Sequence, residues 1–181
     1  MKILTKNHCM IDLETLSTDS TACVLSIGAV MFRFDTGLAE EFYVNVDAED
    51  CKAHGLHVMK STVEWWGTQP KHVLKSLFTP KPIPLKNALE QLFSFYKEHK
   101  GRHPWSHGAG FDLPIIEHAA MVVGLETPWK YWDELCCRTV MAMLELRNDK
   151  IAKSDENAHN ALSDAKRQAQ VLIYAFKTDD K

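Results

Sequence analysis

No stretch of this 181-residue sequence stays apolar over the roughly 20 residues that a membrane-spanning helix needs, and the longest run, Ala22 to Phe32, is interrupted by Ser26 and Gly28. No membrane anchor is expected. Charged and polar residues, Lys2 and Lys6 among them, precede any apolar segment of signal-peptide length, so secretion is not expected and a cytoplasmic location is. Paired cysteines are missing as well. Cys9, Cys23, Cys51, Cys136 and Cys137 are odd in number and lack CxxC spacing, which excludes a disulfide framework and speaks against structural zinc. There is no excess of positive charge: the net charge is -3 and the pI near 6.3, so the surface is not that of a passive binder of polyanions. The sequence also has no internal repeat and no low-complexity tract.

What is present suits an ordinary globular chain, with 45% hydrophobic and 25% charged residues in a length that fits one domain over 1–181. His8 to Leu13 reads as a strand, and Ala22 to Phe32 as a second, buried on both faces. Asp35-Thr36-Gly37 supplies a turn, after which Phe42, Val44 and Val46 alternate with polar neighbours as in a half-buried strand. Ser61-Thr62-Val63-Glu64 matches a capping box ahead of Trp65 and Trp66. The proline-rich segment 79–84 reads as an extended loop. Leu85, Leu89, Leu92, Phe93 and Tyr96 then recur at helical spacing up to Gly101.

A short strand is expected at Pro104 to Ser106, a helix with Pro114 in its first turn running to Gly124, and a strand or loop near Tyr131 to Leu135. Helices over Val140 to Leu146 and from near His159 to Phe176 follow, separated by a loop over Asn148 to Asn157. His99, His103 and His107 are four apart, but Gly101 and Pro104 exclude one continuous helix that would make them a metal face. A meander followed by alternating helices and strands predicts an α/β fold, a mixed sheet covered by helices on both faces.

Three acidic motifs stand out. Asp12 and Glu14 lie two apart at a strand end, so their side chains leave one face with Cα atoms about 7 Å apart. Such a pair is repulsive unless a cation lies between, and hard Mg²⁺ or Mn²⁺ ions take oxygen ligands; a solvated strand end is the plainer reading. Asp112 follows the small residues Gly108-Ala109-Gly110 and Phe111, where backbone can approach a ligand, although taken by itself an acid at this place more readily reads as a helix cap. His159 and Asp164 would point about 140° apart on one helix, so they converge only if His159 sits in the loop ahead of it. Otherwise they are a surface histidine and an acid complementing the helix dipole.

The combination is more specific than its parts. Ile11-Asp12-Leu13-Glu14-Thr15, Gly110-Phe111-Asp112 and His159-Asn160-Ala161-Leu162-Ser163-Asp164-Ala165 together resemble the DEDD superfamily of 3′-5′ exonucleases in its histidine-bearing branch. Within it the sequence is similar to the small group that includes phage exonuclease A, the nuclease part of exodeoxyribonuclease VIII and a mycobacterial exoribonuclease. Thr62 to Trp66 with Gln69, Trp105 to Asp112, and Arg138-Thr139 add to the match, which extends over about residues 8 to 176.

The resemblance implies a ribonuclease-H-like fold and a metal-dependent exonuclease acting on single-stranded or 3′-overhang DNA or RNA. It implies two Mg²⁺ or Mn²⁺ ions held by Asp12, Glu14, Asp112 and Asp164, with His159 as general base, and a homodimer. In relatives outside the small group an Asn precedes Phe-Asp by three or four residues, where this chain has His107 to Gly110. Trp65 and Trp66, about 100° apart on a helix, are expected to divide packing and base stacking between them, and Phe111 is a further candidate contact. Lys71, Lys75, Lys81 and Lys86 could follow phosphates or merely form a solvated face. The alternative from another class is a catalytically silent nucleic-acid-binding module of the same fold. Its mark would be a missing acid or histidine, and here all five are present.

Overall fold

The computed structural model describes residues 5–145 and 159–178. The first strand, β1 (His8–Thr15), pairs antiparallel with β2 (Val24–Arg33), which pairs antiparallel with β3 (Gly37–Asn45). On the other side β1 pairs parallel with β4 (His103–Ser106), and β4 with the two-residue β5 (Leu135–Cys136). The sheet order is β3-β2-β1-β4-β5, a meander extended by parallel strands, as the alternation of patterns predicts.

Helices cover both faces. On one, Ile11, Leu13, Ile27 and Ala29 pack on α4 (Leu85–Glu98) and α5 (Asp112–Val122). On the other, Met10, Val30 and Phe32 meet α6 (Cys137–Met143) and α7 (Ala161–Thr178) through Met141, Ala165, Ala169 and Leu172. The strand β2 is accordingly buried along nearly its whole length, because each face has its own helical cover. The small-residue stripe of α7 lets the helix lie close on the sheet, with Ala161, Ala165 and Ala169 all fully buried. No helix among the described residues is long and apolar enough to cross a membrane.

Several local expectations change. The helix carrying the two tryptophans, α2 (Lys60–Gly67), begins one residue before the expected cap and uses none: its N-cap is Met59, which makes no side-chain cap bond. The start is fixed instead by the Met59 amide donating to the Leu16 carbonyl, and Glu64 pairs with Lys60 rather than reaching back. Two short helices lack a periodic signal long enough to read, α1 (Ala48–Ala53) capped by Asp47, and α3 (Lys71–Ser76). Helix α6 begins three residues earlier than Val140. At the end of α4 it is Lys100 that takes positive φ (54°), whereas Gly101 leaves room for the Tyr96 ring. Asn45, expected on an exposed face, is buried because its amide donates to the carbonyls of Ser76 and Pro80. His99, His103 and His107 fall on a helix cap, a strand and a loop. The expected loop over Asn148 to Asn157 lies outside the described residues.

Candidate active site

Met10, Asp12 and Glu14 alternate onto the face of β1 that α7 covers. Opposite Asp12 in the strand register is Gly28, and a Cβ there would lie 2.1 Å from the Leu162 amide nitrogen and 2.2 Å from the Ala161 carbonyl carbon. The bare glycine is what allows the first turn of α7 to rest on the sheet beside the two acids. Asp164, in that turn, thereby joins them: Asp12, Glu14 and Asp164 each offer an oxygen, all within 4.8 Å of one another.

Asp112 approaches from the opposite side. It is not the helix cap, a place taken by Phe111 without a side-chain bond; it is buried, and its Oδ1 accepts from the Leu13 amide at 3.1 Å. It stands outside the 4.8 Å trio, yet its charge acts strongly on Asp12. Burial, then the charges of Asp112, Glu14 and Asp164, push the Asp12 carboxyl well above the usual carboxylate range, against one neutral donor, Gln168. Asp112 is pushed up to about 7 by burial, with its backbone hydrogen bonds and Arg138 opposing. Asp164 has a cationic partner, as Arg167 Nη2 lies 2.7 Å from its Oδ1.

His159 lies ahead of α7, off the helix, as convergence with Asp164 requires. Its φ of 62° is a left-handed value uncommon outside glycine, so the surroundings determine the turn. The imidazole packs edge-on against Trp65 and Trp66, with ring centroids 4.9 and 6.4 Å away. Those rings differ in role. Trp66 is 5% exposed and donates its Nε1 to the Thr15 carbonyl, while Trp65 is 42% exposed. Both line a cavity of about 490 Å³ with Glu14, Met59 and Phe111. Of the acid cluster, it is Glu14 that reaches this aromatic wall.

Four contributors escape sequence reading. Gly28 looks like any strand glycine, and Met59 like a core residue. Arg167 and Gln168 are three and four residues beyond Asp164, a spacing that places them on its side of the helix and was the available signal. Arg138, which the sequence match already includes, lays its guanidinium across Gly108, where a Cβ would be 1.9 Å from Nη2, so what approaches the glycine-rich turn here is a protein side chain. Lys71, Lys75, Lys81 and Lys86 are all exposed.

The donor set fits a hard divalent cation. All its atoms are carboxylate oxygens, and the repulsion that adds to burial in raising Asp12 is of the kind a divalent ion relieves. A mixed sheet flanked by helices, with acids from its first strand and last helix converging at one end, is the arrangement of a ribonuclease-H-like fold. The chain belongs to the family of the Rv2179c-like 3′-5′ exoribonuclease domain, whose model matches residues 7–176.

Among solved structures it is similar to cell-death related nuclease 4 (CRN-4), with a TM-score of 0.61 at 13% identity, covering 97% of this chain and 65% of that one. It is also similar to E. coli Exonuclease I in complex with a dA16 oligonucleotide, with a TM-score of 0.65 at 15% identity, covering 96% of this chain and 41% of that one. The chain therefore spans less than two thirds of the length of either, and at these identities the likeness shows the fold. No curated protein sequence matches.

Proposed function

We propose that this chain removes nucleotides one at a time from the 3′ end of single-stranded or 3′-overhanging RNA or DNA. The observation that carries the reading is the meeting of Asp12, Glu14 and Asp164, from segments some 150 residues apart, within 4.8 Å beside an aromatic-lined cavity.

Asp12, Glu14, Asp112 and Asp164 are the residues that would hold two Mg²⁺ or Mn²⁺ ions. Bound divalent ions supply charge neutralisation at the phosphate and acidify water. His159 accepts the proton of the attacking water, whose oxygen forms the new bond to phosphorus as the bond to the leaving 3′ oxygen breaks. That oxygen takes a proton from solvent, and a nucleoside 5′-monophosphate departs. Trp65 and Phe111 receive the terminal base. Stacking ignores base identity, as an enzyme that must accept each successive nucleotide requires. Trp66 holds the wall in place through the Thr15 carbonyl. All five reactive positions are filled, which favours catalysis over a silent binding module.

The test is digestion of matched RNA and DNA oligonucleotides, labelled at the 5′ end, with Mn²⁺ or Mg²⁺ and with EDTA. A ladder shortened from the 3′ end in metal only is expected. Absence of any metal-dependent shortening, or cleavage confined to mononucleotide esters, would overturn the reading.

A further inference from the structure

Gln168 is 4% exposed in an otherwise apolar stripe of α7, flanked on the buried side by Ala165, Ala169 and Leu172. An amide in such a place is costly unless both ends are bonded. Only one end is. Its Nε2 donates to Asp12 Oδ1 at 2.7 Å, while Oε1 is buried with no hydrogen-bond partner among the described residues. A methionine of similar length would fill the same space without stranding an acceptor, so packing alone does not account for the residue. What the amide supplies is one neutral donor to one oxygen of Asp12.

The spacing explains how it reaches. Gln168 is one helical turn beyond Asp164, on the same side of α7, so this helix brings one acid to the cluster and clamps another. The two clamps differ in charge: Asp164 is held by the Arg167 guanidinium, Asp12 by an amide. Asp12 feels Asp112, Glu14 and Asp164 together, and a cation in the place of Gln168 would cancel the field that draws a divalent ion. A neutral donor fixes the orientation of the carboxylate and leaves the field in place.

We infer that Gln168 is a positioning residue that orients Asp12 for divalent-cation binding, reserving the oxygen it does not hold. The inference rests on the reading of Asp12 as a metal ligand. Residues that hydrogen-bond ligating carboxylates typically change metal affinity about 10- to 100-fold when removed.

The experiment is Mn²⁺ titration calorimetry on metal-stripped wild type, Gln168→Met and Gln168→Ala, with circular dichroism for folding and a kcat-against-KM analysis over a range of Mn²⁺. Methionine keeps the packing and removes the donor. Expected is a 10- to 100-fold weaker Mn²⁺ affinity in both variants, with kcat depressed at low Mn²⁺, restored at saturating Mn²⁺, and KM for the oligonucleotide unchanged. Wild-type Mn²⁺ affinity in folded Gln168→Met overturns the inference and leaves the nuclease reading standing. A loss in Gln168→Ala that methionine repairs identifies a packing role and overturns it too. Wild type taking up no Mn²⁺, even with oligonucleotide present, overturns both.

Discussion

Trp65 and Trp66 are neighbours in sequence with opposite surroundings, and the difference turns on which face of α2 meets the sheet. Trp66 is enclosed and its indole nitrogen is spent on Thr15, so Trp66→Ala leaves a cavity and an unbonded carbonyl and should cost about 3 to 5 kcal/mol of stability. Trp65→Ala should change stability by no more than about 0.5 kcal/mol, because the ring is 42% exposed. It should weaken oligonucleotide binding by about 1 to 3 kcal/mol without base preference. Melting curves and KM measured across homopolymers separate the two, and equal effects on both would remove the stacking role. At the same corner, His159→Ala should fold normally and lose about 10² to 10⁴ in kcat; unchanged turnover would take His159 out of the mechanism. These side chains were legible in sequence because the acids, His159 and the adjacent tryptophans stand in a telling order. Gln168 and Arg167 were not, since an amide and a guanidinium on a helix are ordinary until a partner is seen.

Among the elements, α7 decides whether there is a site, for it alone brings Asp164 to the acids of β1. Its resting place is Gly28. The atoms a Cβ would strike are backbone atoms of Ala161 and Leu162, which cannot rotate away, so Gly28→Ala must lift the first turn of the helix. Overpacking of this kind costs about 1 to 3 kcal/mol. Activity should fall further than stability does, because Asp164 and His159 move with that turn. Gly67→Ala is the control, as nothing lies within 4 Å of a Cβ there. A folded Gly28→Ala enzyme with wild-type kcat and Mn²⁺ affinity would show that α7 tolerates the shift. The long elements were readable from periodicity: Leu85 to Tyr96 and the alanine stripe of α7 bury the residues their spacing selects. The six-residue helices α1 and α3 were not, being shorter than two full turns, and the capping box of α2 yielded to a tertiary bond from Met59 to Leu16.

At the scale of the whole molecule, a net charge of -3 conceals strong local asymmetry, since three acids crowd one end of the sheet around Asp12, a side chain raised first by burial and then by their charges. The native fold without metal therefore carries stored repulsion, and a divalent ion that binds the native state but not the unfolded chain stabilises it by mass action. At an ion concentration about 100 times its dissociation constant the gain is about 2.7 kcal/mol. For a chain of this length each kcal/mol raises the melting temperature by about 2 to 4 °C. Mn²⁺ should thus raise Tm by about 5 to 10 °C, and EDTA should reverse it. Asp12→Asn removes the most repelled charge while keeping an oxygen for Gln168, so its metal-free Tm should equal or exceed that of wild type, its Mn²⁺ shift should shrink, and its nuclease activity should vanish. Differential scanning calorimetry with and without Mn²⁺ reads both effects. Marked destabilisation of metal-free Asp12→Asn would mean that the carboxylate is bonded into the fold rather than held ready for a cation.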